Sequence, residues 1–316
     1  MSEIAVILPA YNEEQTIVAT IRAFHQALPQ ASIWVVNNRS ADATESLATQ
    51  AIADLGCGGG VINERRPGKG NAVRRAFLDV EADIYVLADA DLTYPASQAQ
   101  ELLVPVSCGE ADMVVGDRHS AGHYASNNKR PFHGFGNRLI RDVVNRLFGA
   151  ELRDIMSGYR VFNRRFVKSY PILVEGFEIE TDMTLHALDK RFRIVEIPVA
   201  YQDRPSGSVS KLNTLRDGTR VVRTIGNIFR HYRPLAFFGG LALMFGVLGM
   251  LAGLPVIDEW LVDSYIRRVP LAILAAGLEI VAFVLAAIGF ILDSIVHQDK
   301  RNFGRELLAQ PSHGRQ

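Results

Sequence analysis

Two aspartates, Asp89 and Asp91, follow directly on the apolar run Ile84-Tyr-Val-Leu-Ala88. In an extended segment residues i and i+2 point the same way, so both carboxylates face one spot. An acid pair at the end of a strand that reads as buried suits a hard divalent cation and, through it, a phosphate-bearing ligand. An isolated Asp-x-Asp is more often a solvated turn; the wholly apolar strand ahead of this one favours a site. Cations that handle phosphate are spread along the chain. Lys69 lies in the glycine-rich Arg65-Arg-Pro-Gly-Lys-Gly-Asn71, Arg118 follows an apolar strand, and Arg160 ends Ser157-Gly-Tyr-Arg160. Arg204 and Lys211 belong to Arg204-Pro-Ser-Gly-Ser-Val-Ser-Lys-Leu-Asn213. Arginine offers phosphate a planar fork, whereas lysine acts as a point charge. For each of them a surface ion pair is the competing reading.

Strands and helices alternate over the part of the chain that must hold these groups. Ile4 to Leu8 reads as a strand, and Asn12-Glu-Glu14 opens a periodic helix through Leu28. Ile33 to Val36 is a second strand, the polar turn Asn37 to Asp42 leads into a helix to about Leu55, and Gly58 to Ile62 enters the glycine loop. A helix over Ala72 to Val80 feeds the central strand. Such alternation implies a mostly parallel sheet with helices on both faces, and those sheets bind ligands beyond their strand carboxyl ends. Pro9 to Glu13, Asn37 to Asp42 and Asp89 to Asp91 then share one rim. Further on come a strand over Asp112 to Val115, a polar irregular stretch from His119 to Gly134 expected to act as a mobile loop, and a helix over Asn137 to Phe148. A helix follows Glu178-Ile-Glu180, then a strand near Arg193 to Tyr201.

Lys plus Arg and Asp plus Glu both number 34, so the formal charge is zero, which argues against a nucleic-acid binder. Cys57 and Cys108 lack metal spacing and read as reduced cytosolic thiols, and the opening residues carry no secretory signal. Beyond Lys211 the character changes. Arg216, Arg220, Arg223 and Arg230 share one helical face opposite Val221, Val222, Ile225, Ile228 and Phe229, as in a segment lying on anionic lipid. Leu235 to Leu254 and Val269 to Leu292 are each long enough to cross about 30 Å of hydrocarbon, joined by a connector from Pro255 to Arg268. Arg230, Arg233, Lys300, Arg301 and Arg305 place both flanks in the cytoplasm, against a mild contrary signal from Arg267 and Arg268. Glu279, inside the second run, must face another helix or carry a proton. With Gly249 and Gly253 it makes a packing or homo-oligomer contact plausible.

Pro9-Ala-Tyr-Asn-Glu-Glu14, Asp89-Ala-Asp91, Ser157-Gly-Tyr-Arg160 and Arg204 to Asn213 together resemble the family 2 glycosyltransferases of GT-A fold. Within them the chain is similar to the dolichyl- and undecaprenyl-phosphate sugar transferases, over nearly its whole length. The resemblance implies an α/β, Rossmann-like catalytic domain over residues 1–210, a basic juxtamembrane helix over 211–233, a two-helix anchor over 234–295 and a cytosolic tail over 296–316. It implies transfer, with inversion, of one sugar from a UDP- or GDP-sugar to a polyprenyl phosphate at the inner face of a membrane, most simply a bacterial inner membrane. Asp89 and Asp91 would hold Mg²⁺ or Mn²⁺; Pro9, Tyr11 and Glu13 the nucleoside; Lys69 would add charge near it. Arg118, Arg160, Arg204 and Lys211 would clamp the phosphates, with Ser157 and Ser206 donating nearby. Asp154 aligns with an acid proposed as a base, or else orients the arginines. Three departures stand out: Asn37-Asn38 replaces an acidic turn at the base or ribose, Thr93 stands where relatives often have Gln, and His133 replaces a serine of the acceptor loop. Asp89-Ala-Asp-Leu-Thr93 also matches the nucleophile element of haloacid-dehalogenase-like phosphatases, although two strand–helix units precede it here. A membrane adaptor or transporter subunit is the non-enzymatic alternative.

Overall fold

The computed structural model describes residues 2–120, 131–176, 178–201 and 214–309, with backbone alone for 131–135, 214–222 and 309. Its contacts divide the chain into two compact units, Met1–Asp217 and Gly218–Gln316.

The first unit is built on a seven-stranded sheet in the order β3-β2-β1-β4-β6-β5-β7. The strands are β1 (Ile4–Ala10), β2 (Ser32–Asn37), β3 (Gly59–Asn63), β4 (Ile84–Leu87), β5 (Met113–Asp117), β6 (Arg160–Asn163) and β7 (Ile194–Pro198). Strands β3, β2, β1 and β4 run parallel, as do β5 and β7; only β6 is antiparallel to its neighbours. Every residue of β4 and β5 is buried, as in strands covered on both faces, and only Asp117 at the end of β5 interrupts their apolar run. The covering helices are α1 (Ile17–Ala27), α2 (Thr44–Leu55), α3 (Lys69–Asp79), α4 (Ala99–Ser107), α5 (Pro131–Phe148), α6 (Arg164–Ser169) and α7 (Ile179–Asp189). Ile17, Ile21 and Phe24 of α1 are buried in one cluster with Leu8, Val86, Leu102 and Val161, so the helix stripe at spacing 3–4 meets the sheet face.

Several expected boundaries move. The acidic Asn12-Glu-Glu14 group forms a turn ahead of α1, with Asn12 at φ 56°. Helix α3 starts at Lys69, three residues before the expected start, and α5 already begins at Pro131. Residues 121–130 of the expected loop lie outside the described residues.

Helix α8 (Thr214–Tyr232), whose residues from Gly218 on belong to the second unit, leaves Arg223 and Arg230 exposed and buries Ile228. Helices α9 (Pro234–Asp263) and α10 (Val269–Ala309) are both long and apolar enough to cross a membrane. The expected connector is mostly helix: α9 continues through Pro255 to Asp263, at the cost of one backbone hydrogen bond, and buries Val256. The expected tail is helical to Ala309. Glu259 accepts from the Arg267 and Arg268 N–H groups at 3.1 and 3.2 Å, while Arg268 Nε and Arg267 Nη2 pair with Glu259 and Asp263 at 3.0 and 2.9 Å. The two arginines that ran against the charge rule therefore close this turn. Glu279 lies on Gly249 of α9: a Cβ there would stand 2.8 Å from Glu279 Oε1. Gly253 faces Ala275 in the same seam. Of the packing or homo-oligomer contact expected of these residues, the packing is seen here within one chain.

Candidate active site

Parallel strands deliver their carboxyl ends to one edge of the sheet, so the segments after β1, β2, β4 and β5 share a rim. β6 runs the other way, pairing Arg160 with Leu87 and Val115, and therefore brings Ser157, Gly158 and Tyr159 to the same rim at its amino end.

Asp89 retains 28% side-chain exposure, whereas Asp91 is buried. Asp91 Oδ1 accepts from the Thr93 N–H at 3.1 Å and the Thr93 hydroxyl at 2.6 Å, so Thr93 fixes this carboxylate. Between the acids, the Ala90 carbonyl accepts from the Thr16 and Thr20 hydroxyls at 2.8 and 3.1 Å, which ties the turn to α1.

Lys69 joins this group from α3. Its ammonium donates to Asp89 Oδ1 and, at 2.5 Å, to Glu180 Oε1 of α7, with only 7% of its side chain exposed. Burial pulls a lysine pKa down, but the two carboxylates reverse this and hold Lys69 above the ordinary lysine value. The flanking glycines explain its depth. A Cβ on Gly68 would lie 2.1 Å from the Glu175 carbonyl oxygen, and one on Gly70 2.2 Å from that of Val174. Gly68 also sits at φ 116°, a region that suits glycine. Gly158 closes the third side, where a Cβ would come within 2.9 Å of Asp89 Oδ2 and 3.0 Å of Lys69 Nζ.

A second cluster stands at the end of β5. Arg118 Nε and Nη2 donate to Asp154 Oδ2 and Oδ1 at 2.7 and 2.9 Å, a bidentate pair on a carboxylate that is only 1% exposed. Burial pushes the Asp154 carboxyl up, and Arg118's hydrogen bonds and charge more than offset that, leaving its pKa lowered. Glu196 of β7 accepts from the Arg153 and Asp154 N–H groups, fixing the loop from behind. Burial, with Asp117 and Asp154 nearby, raises the Glu196 pKa. The Arg118 guanidinium lies 5.6 Å from the Tyr201 ring centroid, Tyr201 packs on Tyr94, and the Tyr94 hydroxyl accepts from Gly158 N–H at 2.9 Å. That aromatic bridge links the two clusters.

Other expected residues fall elsewhere. Arg160, expected as a phosphate clamp and catalytic cation, is fully buried; its guanidinium donates to the Ser157 and Ile155 carbonyls and the Thr184 hydroxyl at 2.8–2.9 Å. With its donors engaged inside the protein, it braces the Ser157 turn and does not reach the rim. Asn38, expected at base or ribose, instead holds the glycine loop: its Nδ2 donates to Arg66 O at 2.6 Å and its Oδ1 accepts from Gly68 N–H at 2.8 Å. Ser157 is buried, with Oγ accepting from Tyr159 N–H at 3.3 Å. Pro9 lies half-buried one residue before the end of β1, Tyr11 is exposed, and Glu13 is anchored through its N–H to Thr44 Oγ1 and its carboxylate to the Thr16 hydroxyl. Arg204, Ser206, Lys211 and the His133 side chain lie outside the described residues. Glu180, Tyr94, Tyr201 and Glu196 were not anticipated; Tyr94, directly after the acid motif, was the most readable of them.

Comparison with known proteins gives the same picture. The profile of Glycosyl transferase family 2 matches residues 5–170. Glycosyltransferase AglJ of Haloferax volcanii is 30% identical over 276 residues, covering 87% of this chain and 88% of that protein. A polyprenol monophosphomannose synthase of Mycolicibacterium smegmatis is 29% identical over 66% of this chain and 80% of its own. Among solved structures, glucosyl-3-phosphoglycerate synthase from Mycobacterium tuberculosis, crystallised with Mn²⁺, UDP and phosphoglyceric acid, overlays with TM-score 0.55 at 22% identity, over 72% of this chain and 78% of that one. At that identity it speaks to the GT-A fold alone. The acid pair on a parallel-sheet rim, the profile match and the shared fold agree: the chain belongs to glycosyl transferase family 2 and is a glycosyltransferase.

Proposed function

We propose that the chain transfers one sugar from a UDP- or GDP-sugar to a polyprenyl phosphate at the cytoplasmic face of a membrane, with inversion and with Mg²⁺ or Mn²⁺ bound at Asp89 and Asp91. The observation that carries this reading is the acid pair at the end of β4, set on a rim with Lys69 and Arg118 in a chain that also has two membrane-length helices. Similarity to a polyprenol monophosphomannose synthase and to an undecaprenyl-phosphate mannosyltransferase of Micrococcus luteus supports the acceptor class and disfavours the phosphatase and adaptor readings.

The residues fit a hard cation. Asp89 and Asp91 offer carboxylate oxygens, and the Lys69 ammonium already places positive charge against Asp89. Among the described residues no group of three or more His, Cys, Asp or Glu gathers around one point. Two carboxylates completed by phosphate oxygens and water is the usual arrangement for Mg²⁺. When bound, the ion neutralises charge on the departing nucleoside diphosphate. Thr93 keeps Asp91 oriented for this task.

Arg118 presents its charge on the rim with its orientation fixed by Asp154, a fit for the phosphates of donor or acceptor. Asp154 is held ionised and engaged by Arg118, so its role is to orient. A lipid phosphate, with a second pKa of about 6 by analogy with phosphoprotein groups, needs no strong base near neutral pH. Pro9, Tyr11 and Glu13 line the nucleoside side, while Arg204, Ser206, Lys211 and His133 serve the acceptor phosphate. The amphipathic α8 lies on the anionic leaflet.

The test is nucleoside diphosphate release from a panel of UDP- and GDP-sugars by the purified protein with Mn²⁺ or Mg²⁺ and undecaprenyl phosphate. Lipid-dependent release with one donor, lost in Asp89→Asn and Asp91→Asn, supports the reading. Release that ignores the lipid overturns the acceptor assignment.

A further inference from the structure

Lys69 forms an unusual partnership for a residue beside a metal-binding acid. Its ammonium is enclosed by Asp89 on one side, Glu180 on another and the Gly158 backbone on a third. On either side of it, the Gly68 and Gly70 backbones lie against the carbonyls of Glu175 and Val174, and Gly70 N–H donates to Glu175 O at 2.9 Å. The lysine is thus seated by both the loop before α3 and the segment leading to α7. A cation built into the protein already sits on Oδ1 of Asp89, the carboxylate that a divalent ion would share.

Two like charges on one carboxylate repel at short range, and the partly buried setting weakens solvent screening. A divalent ion arriving alone must therefore share Asp89 with Lys69 or displace it towards Glu180. A nucleoside diphosphate changes the balance, because its negative oxygens compensate both cations at once. Resting on the transferase reading above, we propose that Lys69, seated by Glu180, competes with the divalent ion for Asp89 and so makes metal binding depend on the anionic donor. Lys69 is in this sense a positioning residue, and Glu180 is the second anchor that receives its ammonium when the ion is in place.

The test is Mn²⁺ binding to the full-length protein in detergent, followed by the free Mn²⁺ electron paramagnetic resonance signal, with and without UDP or GDP. Wild type should bind Mn²⁺ weakly alone and at least tenfold more tightly with the matching nucleotide. Lys69→Gln and Lys69→Met should bind Mn²⁺ alone at least tenfold more tightly than wild type and gain less from nucleotide; Lys69→Arg, which keeps the charge, should behave as wild type. Adding Asp89→Asn to Lys69→Gln should erase the gain. Folded neutral variants that bind Mn²⁺ alone no better than wild type would overturn the proposal. Glu180→Gln provides a check if the lysine variants unfold. With its second anchor gone, Lys69 stays on Asp89, so binding of Mn²⁺ alone weakens while binding with nucleotide persists. Equal loss under both conditions would make Glu180 a ligand instead and overturn the idea. Because no sugar transfer is read, failure of the acceptor assignment leaves this result interpretable, and failure here leaves the transfer assay untouched.

Discussion

Replacing Asp154 by Asn keeps the side-chain shape but removes the charge that grips Arg118 through contacts of 2.7 and 2.9 Å. The amide oxygen can accept one of those bonds, while its NH₂ faces the other guanidinium donor. Removing one partner from a buried ion pair costs roughly 3–5 kcal/mol. If about 3–4 kcal/mol of that appears as misplacement of Arg118 in the transition state, kcat/KM falls by about 10²–10³. Arg118→Ala should lose a similar factor. The double variant should lose little beyond the larger single effect, because both changes remove one interaction. The assay is the initial rate of nucleoside diphosphate release at subsaturating donor, across pH. An acid that takes the acceptor proton behaves otherwise: the two effects multiply, and the acidic limb of the pH profile disappears in Asp154→Asn but survives in Arg118→Ala. Either outcome, or a fully active Asp154→Asn, refutes the orienting role. Stability gives a second reading with a definite sign. The Asp154 pKa is lowered in the folded protein, so the pair's contribution is fully present above the unfolded value, about 3.9, and is lost as pH falls through the folded one. Asp154→Asn should therefore lack that component of acid unfolding.

Thr93→Val removes the hydroxyl that donates to Asp91 at 2.6 Å; activity should fall about tenfold and the Mn²⁺ requirement should rise, as read from metal titrations of the rate. Gly70→Ala places a Cβ 2.2 Å from the Val174 carbonyl oxygen, and chemical denaturation should show a loss of at least about 2 kcal/mol, whereas Gly58→Ala, with 3.6 Å to its nearest neighbour, should cost less than about 1 kcal/mol. Gly249→Val should force Glu279 from its seat and lower the thermal stability of the hairpin in detergent; Glu279→Ala should restore part of that loss in the double variant, since the clash is with its carboxylate.

The acid motif was readable because a fully apolar strand ends abruptly in two carboxylates, and few structural needs produce that pattern. The parallel half of the sheet was readable for the same reason. Arg160 was not: a basic residue after Ser-Gly-Tyr reads as a surface cation, and only the sandwiching of β6 between β4 and β5 reveals that its guanidinium lies inside. Glu180 was hidden in another way. Carboxylates in the first turn of a helix are ordinary, and its partner Lys69 lies 111 residues earlier. Helix α4 escaped notice because Pro105 interrupts its pattern, although Leu102, Leu103 and Val106 bury the expected stripe. The last turns of α10 looked like a polar tail; backbone hydrogen bonding carries the helix on after the apolar composition stops.

The one antiparallel strand also sets a timetable for synthesis. β4 pairs β1 on one side, and its other side is closed only by β6, so while the chain is being made the wholly apolar Ile84–Leu87 has an open edge until Arg160–Asn163 emerges. At elongation rates of about 5–20 residues per second, the roughly seventy residues in between take about 4–14 s. Throughout that interval the nascent chain offers an uncharged strand edge, the feature that recruits neighbouring chains into aggregates. The strand that leads into the acid pair is thus left open to chaperones or to neighbouring chains until β6 closes it.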